Sequence, residues 1–503
     1  MSNRFQRSNL VAPFCLVLAC VCQLAIACGS DNDDSGSAGS SNSGGAGGSG
    51  GASGGGMSNA GSSAAGSAGT TAGGTSGSAG SSATAGSAGE AAGASGEAGA
   101  SARGFVYIES NDPDQNAVLA FERAADGSLQ PLSGGQFATS GKGITAGTDQ
   151  RLGPLDSDRE LVFSDDRQYL FAVNSGSNTI AVFRTGSIGE LTPIAGSPFP
   201  SGGQNPVSLG LTGDTLYVVN KAVAGTVAPN YVAFHVDDTG ALTQIANSSV
   251  NAPVGGSPSI AYIPPSSQLL FGTEFLDGAR AASAPAGQID VFVRASSGLL
   301  TAAPGSPHAL PADTSGIMPP PPPVALNLVA NPSQSVLYVA FVTRNQLGVY
   351  SYDSTGALTF ERTVANSGKA ICWLVADHAA HFLYSVNSGS GTISTYDISN
   401  ATQPAEVHTL TLKQAMSGPP FMDAMGMMET VTSQPFQLAF DADESHLYVI
   451  SQRATTNTTD LTGNYLHTLQ VMADGSLTEP ADPIDLRDLS VSPQARPQGV
   501  AVF

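Results

Sequence analysis

The sequence predicts an all-β chain: a seven-bladed β-propeller, closed by pairing a C-terminal strand into blade one and preceded by a disordered linker. Three observations carry this. A short apolar run recurs seven times, its aromatic standing at Tyr107, Phe171, Tyr217, Phe271, Tyr338, Tyr384 and Tyr448. A glycine turn then opens a further strand at Gly127, Gly189, Gly240, Gly298, Gly356 and Gly475. Units of roughly 45–65 residues with about four short strands each are propeller blades; a solenoid demands a tighter period, and a sandwich does not repeat so regularly.

The second unit shows the pattern in full. Leu170 to Val173 is an apolar run with the β-branched and aromatic enrichment of a buried strand. Ser175-Gly176-Ser177-Asn178 is turn chemistry, Thr179 to Phe183 alternates as the next strand, and Gly189-Glu190-Leu191-Thr192 opens another. Val386 to Ile393 nearly copies Val173 to Ile180. The sixth unit lacks the glycine turn and carries Ala401-Thr402-Gln403-Pro404 instead. The first unit starts at Phe105 with its second strand, whereas Arg496 to Phe503 reads as an innermost strand with no blade following it. Pairing the two completes blade one and removes an exposed edge.

Ahead of the propeller, three regions divide the chain into 1–28, 29–102 and 103–503. Arg4 and Arg7 precede an apolar segment from Leu10 to Ala27, the layout of an export signal. Leu24-Ala25-Ile26-Ala27-Cys28 resembles a bacterial lipoprotein signal, with Cys28 as the lipidated residue; Val17-Leu18-Ala19-Cys20 competes with it, and a plain cleaved signal or an uncleaved anchor is the alternative. Residues 29–102 are almost entirely Gly, Ser, Ala and Thr, too poor in large apolar side chains to offset ordering entropy. Such a tether has ends about 50 Å apart on average. The expected location is therefore the bacterial cell envelope, with the membrane contacted through a lipid on Cys28, at the outer membrane or cell surface. Once the signal leaves with Cys15, Cys20 and Cys22, Cys372 is the thiol of the folded part, so no disulfide is expected there.

Nineteen Lys and Arg against forty Asp and Glu give a formal charge of -21. That excess, with no basic run, argues against nucleic acid as a partner. No phosphate-binding loop, dinucleotide fingerprint or Gly-x-Ser-x-Gly elbow is present, so no cofactor is expected. His378-Ala379-Ala380-His381 lacks a second ligand pair for zinc, and the methionines at 416, 422, 425, 427 and 428 read as gap filling rather than a copper site, so no metal is expected. A monomer is expected.

The sequence Leu-Tyr-Val-x-Asn, then Ile-x-x-Phe, then Gly-x-Leu-Thr, then Ser197-Pro198-Phe199, resembles the lactonase family of seven-bladed propellers. That family includes bacterial 6-phosphogluconolactonase and the fungal 3-carboxymuconate cyclases, and the resemblance covers Gly104 to Phe503. It implies an Arg-His pair near the start of innermost strands, the arginine steadying an oxyanion or carboxylate and the histidine moving a proton. The equivalent positions here read Arg159-Glu160, Val207-Ser208, Pro258-Ser259, Cys372-Trp373, Phe436-Gln437 and Pro497-Gln498. No Arg-His is among them. Arg159 and Glu160 are the catalytic candidates, against the alternative of an ion pair at the rim.

Further candidates sit where loops converge on the channel mouth. Lys221, Glu274, Arg344, Lys369, Trp373, Gln437, Arg496 and Gln498 are the expected ligand-binding residues, with Asn174, Asn220, Asn387 and Arg453 beside them. Scarce cations gathered on one face of an acidic protein suit an anionic ligand such as a sugar phosphate or carboxylate, and Trp373 suits stacking on a sugar ring or a place in the core. Three insertions, Gly134 to Asp158, Pro304 to Pro323 and Met416 to Thr432, are expected on that same face. The sequence thus supports a tethered propeller that binds a small carbohydrate-like or anionic ligand or a protein partner. The alternatives are a lactone hydrolase with a non-standard Arg/Glu site and a non-enzymatic surface scaffold.

Overall fold

A computed structural model describes residues 104–144, 157–222, 227–252, 257–274, 287–312, 324–414, 421–422, 428–429, 433–453 and 461–503. The export segment, Cys28 and the linker lie outside the described residues, as do 145–156, 313–323, 416–420, 423–427 and 430–432 of the expected insertions, Met416, Met425 and Met427 among them. Met422 and Met428 pair across a two-stranded ribbon. No helix among the described residues is long and apolar enough to cross a membrane.

Seven antiparallel sheets of four or five strands are the seven expected blades. Blades 1, 5 and 6 have four continuous strands; in blades 2, 3, 4 and 7 the outermost strand comes in two pieces that both pair with the third. The innermost strand of blade 4 is reduced to two bridges, Pro258 with Glu274 and Tyr262 with Phe271. Proline at 258 and again at 264 and 265 removes the N–H groups a regular ladder needs. Blade 6 builds a full outer strand, Ala405–Thr411, although it lacks the glycine turn.

Closure is as the sequence predicts. The strand Gln498–Val502 is the innermost strand of blade 1, antiparallel to Gly104–Glu109. Val106 faces Val502, Ile108 faces Val500, and after a bulge Glu109 faces Gln498. Phe105 and Phe503 exchange two further backbone hydrogen bonds.

The core is a ring of layers, each formed between neighbouring blades rather than inside one. Phe105, Tyr107 and Val118 of blade 1 pack on Leu170, Ala172 and Phe183 of blade 2, and equivalent layers follow around the ring. The two repeated sequence signals meet across these layers. The Tyr107 hydroxyl donates to the Gly189 carbonyl at 3.1 Å, and the Tyr448 hydroxyl donates to that of Gly127 at 3.0 Å. Tyr338 donates to Ala401 at 2.9 Å, so the glycine-less turn of blade 6 keeps the contact. Gly189 has φ +86°, and a Cβ there would lie 2.4 Å from the Phe105 ring. Both the left-handed turn and the close approach of the preceding blade therefore require glycine.

Candidate functional site

The turns from second to third strand, with the chain entering each innermost strand, form one face of the ring, here called the upper face. The turns from first to second strand lie on the lower face. Ser157 to Glu160 enters blade 2 from above and forms a knot of four blades. Ser157 Oγ donates to Glu160 Oε1 at 2.9 Å, and Gln437 Nε2 of blade 7 donates to both Glu160 oxygens at 2.8 and 2.9 Å. The Ser157 carbonyl accepts from Gln437 Nε2 at 2.8 Å and from the Trp373 indole at 2.7 Å. Gln437 Oε1 accepts from the Gly499 amide of blade 1 at 2.7 Å.

Burial pushes the Glu160 carboxyl well above the usual carboxylate range, and the charge of Asp158 adds to that push. Asp158 is raised in turn by burial, against the pull of Arg159 and a 2.7 Å hydrogen bond from Asn327. Arg159 and Glu160 are therefore not a catalytic dyad in this geometry, nor an ion pair. Arg159 has φ +70°, and its Nε donates to the Leu209 carbonyl at 3.3 Å, while Glu160 is sealed between Ser157 and Gln437. Trp373 is in the core rather than open for stacking: it is 1 % exposed and its ring lies 4.3 Å from that of Phe436.

A second polar cluster lies on the upper face at the seam of blades 7 and 1. Gln434 and Gln452 are register partners, Gln452 Nε2 donates to the Pro497 carbonyl at 3.0 Å, and Gln498 is the register partner of Glu109. Arg496 and Arg453 meet on one acceptor, the Pro493 carbonyl. Burial and the neighbouring Arg453 bring Arg496 down to about 10. Glu109, fully buried, is pushed well above the carboxylate range despite a hydrogen bond from Asn116. Among the described residues, five buried atoms of this row have no hydrogen-bond partner: Gln434 Oε1, Gln452 Oε1, Gln498 Nε2, Glu109 Oε2 and Arg496 Nε.

The remaining expected ligand residues are spread over other blades. Lys221 is buried at the end of the second strand of blade 3, and Lys369 is exposed before blade 6. Glu274 is buried and accepts from the Ser257 amide, close to Asp290, whose carboxylate takes the Tyr231 hydroxyl at 3.1 Å. Arg344 is buried in a short 3-10 turn, Val342–Arg344, and donates to the Pro311 carbonyl at 2.8 Å. Asn174 and Asn387 close local networks, Asn174 with Asn116 and Thr139 and Asn387 with Asn366, Thr392 and Ser394. The structure brings together Glu160, Gln437 and Trp373 in the knot, and Arg496, Gln498 and Arg453 at the seam.

Sequence reasoning missed one constellation altogether. In blade 7, Ser451 Oγ lies 2.8 Å from His467 Nε2, and His467 Nδ1 lies 2.8 Å from Glu479 Oε1. The second Glu479 oxygen accepts the Lys413 amide at 2.6 Å. These are the distances of a nucleophile, base and orienting acid. Ser451 and His467 are both 0 % exposed, however, so no carbonyl can approach, and the relay serves to tie the second, third and outer segments of the blade. No motif announces it, because its members are aligned by cross-strand register.

Comparison with known proteins agrees with this architecture. Residues 325–450 match the model of the family described as lactonase, 7-bladed beta-propeller. Among solved structures, the periplasmic gluconolactonase of Pseudomonas aeruginosa is similar at 16% identity and TM-score 0.55, covering 80% of this chain and 99% of its own. A putative 6-phosphogluconolactonase of Bacteroides uniformis is similar at 15% identity and TM-score 0.55, with the same coverage. One from Bacteroides fragilis, at 14% identity and TM-score 0.55, covers 81% of this chain and 99% of its own. At such identities the likeness speaks to fold, which hosts many functions. No curated protein matches the chain in sequence. Seven blades and closure of blade one by the strand Gln498–Val502 make the chain a seven-bladed β-propeller, within which residues 325–450 match the lactonase family model.

Proposed function

We propose that this propeller binds a small hydroxylated anion, of the sugar-acid class, at the seam of blades 7 and 1. The observation that carries the reading is the row of five buried polar atoms without partners among the described residues. Each such atom costs about 1–3 kcal/mol when left unsatisfied, so a cluster of them is expected to be completed by something bound. The mixture matters. Arg496 Nε and Gln498 Nε2 are donors suited to an anionic oxygen, and the two glutamine oxygens are acceptors suited to hydroxyls. An acidic protein that gathers two guanidiniums on one carbonyl has a local reason to attract negative charge.

The second reading is hydrolysis of the corresponding lactone, and the gluconolactonase named among the structural neighbours favours considering it. It would draw on Glu109, a buried carboxyl in the same row, rather than on Arg159 and Glu160. We further propose that the domain works in the cell envelope as a monomer, held to a membrane by a lipid on Cys28 and the glycine-rich tether.

One experiment tests the site. Gluconate, glucono-δ-lactone and 6-phosphogluconate are titrated calorimetrically into the protein and into Arg496→Gln and Gln498→Leu variants, with lactone turnover followed in parallel. Binding of one of them that weakens at least tenfold in both variants supports the site. Turnover lost in Glu109→Gln turns the reading to the hydrolase. Absence of both binding and turnover refutes it, and the row is then filled by water alone.

A further inference from the structure

The lower face opens into a cavity of about 710 Å³ that runs up the centre of the ring. Its walls carry apolar side chains, with Leu161, Phe163, Leu328, Leu374, Phe440 and Val502 among the residues that six of the seven blades contribute, but nearly half of the lining surface is polar. Its mouth is formed by first-to-second strand turns, represented by Arg167, Pro265, Pro332 and His378, and its inner end by Asp158, Arg159 and Gln437. The volume is that of a small-molecule pocket, about 300–1,000 Å³.

The charges facing this cavity do not cancel evenly. Asp441 at the rim is engaged by Arg123 and by His446, each at 3.1 Å. Asp158 is engaged by Asn327 at 2.7 Å and also by the charge of its neighbour Arg159, and the rim guanidinium of Arg167 lies 5.7 Å from the Phe503 ring centroid. His378 is paired with Glu444 at 2.5 Å. Arg159 remains at the inner end. Its Nε is given to a backbone carbonyl, and among the described residues no carboxylate forms an ion pair with it. The backbone there has φ +70°, a conformation that a side-chain-bearing residue holds only when its surroundings impose it. The turn parts two neighbouring side chains, so that Glu160 joins the knot and Arg159 lines the channel.

We propose that the lower channel is a binding site for an amphipathic carboxylate, its apolar body lying along the channel wall and its carboxylate paired with Arg159. This site is separate from the seam on the upper face and uses none of its residues. The acidic surface of the protein does not favour an anion in general, so affinity has to come from Arg159 and the apolar side chains of the wall together.

Sodium decanoate is the probe, titrated calorimetrically and by the fluorescence of Trp373, whose indole binds the Ser157 carbonyl next to Asp158 and Arg159. Saturable binding is expected, at least tenfold weaker in Arg159→Gln. Decan-1-ol, which lacks the carboxylate, should bind the unaltered protein at least tenfold more weakly than decanoate. Ala376→Phe, which places a ring in the channel without touching the arginine, should also reduce decanoate affinity at least tenfold while circular dichroism stays unchanged. No binding of decanoate, or undiminished affinity in both folded variants, would overturn the proposal.

Discussion

Replacing Gln437 by leucine tests whether the four-blade knot holds the ring shut. Gln437 donates to the Ser157 carbonyl and to both oxygens of Glu160, and it accepts from the Gly499 amide. The two neutral bonds contribute about 1 kcal/mol each, and the bonds to the carboxyl about 1.5–3 kcal/mol. The Gly499 N–H is left buried without a partner, which costs about 1–3 kcal/mol more. The expected loss is therefore about 4.5–8 kcal/mol, a large share of the roughly 5–15 kcal/mol that stabilises a folded domain. Urea unfolding followed by Trp373 fluorescence reads it, because this tryptophan is the only one in the chain and shares the Ser157 carbonyl with Gln437. A second variant combines Gln437→Leu with Glu160→Leu. Removing both partners should recover part of the loss, since part of the penalty comes from stranding a buried acid. A loss below about 1 kcal/mol, or a double variant no more stable than the single one, would refute the reasoning.

Two other expectations follow from buried groups. Glu160 is held above its unfolded value of 4.5, so the native state binds its proton more tightly; its stabilising effect is full below pH 4.5 and is lost as pH rises through its folded value. Thermal melts should show the unaltered protein losing ground to Glu160→Gln as pH is raised from 4.5, and a constant or shrinking difference between the two would contradict the assignment. The Ser451 relay should be inert: a fluorophosphonate should leave Ser451 unlabelled by mass spectrometry, and Ser451→Ala should cost about 1–3 kcal/mol by stranding His467 Nε2. Stoichiometric labelling would show that the serine is reachable after all.

What the sequence reveals and what it hides have physical causes. The second-strand aromatics and the glycine turns were legible because they are two halves of one contact, repeated between successive blades. Closure was legible because an unpaired strand at each end of a repeat array demands a partner. The reduced inner strand of blade 4 was not read, since proline weakens a ladder by an amount that depends on its neighbours. Arg159 and Glu160 were correctly placed at the start of an innermost strand, but their directions were hidden. These depend on a left-handed backbone at Arg159 and on Gln437, which is 277 positions away from Glu160 in the chain. The seam row and the Ser451 relay were hidden for the same reason: register, rather than spacing, brings their members together.

The closing strand also sets the order in which this molecule can assemble. Asn111 donates to the carbonyl of Arg496 across 385 positions, beside the pairing that joins the ring. The loop entropy of so distant a contact grows only slowly with length, by about 0.6 kcal/mol per doubling, so the seam is thermodynamically accessible. Its formation is slow all the same, because distant pairing has to wait until the local hairpins exist. Blades joined by nearest-neighbour layers can form one after another, whereas the first blade stays a three-stranded sheet with a bare edge until the last is in place. The seam is thus the final step of folding and the natural first step of opening, and a ligand held there would act as a latch on the whole ring.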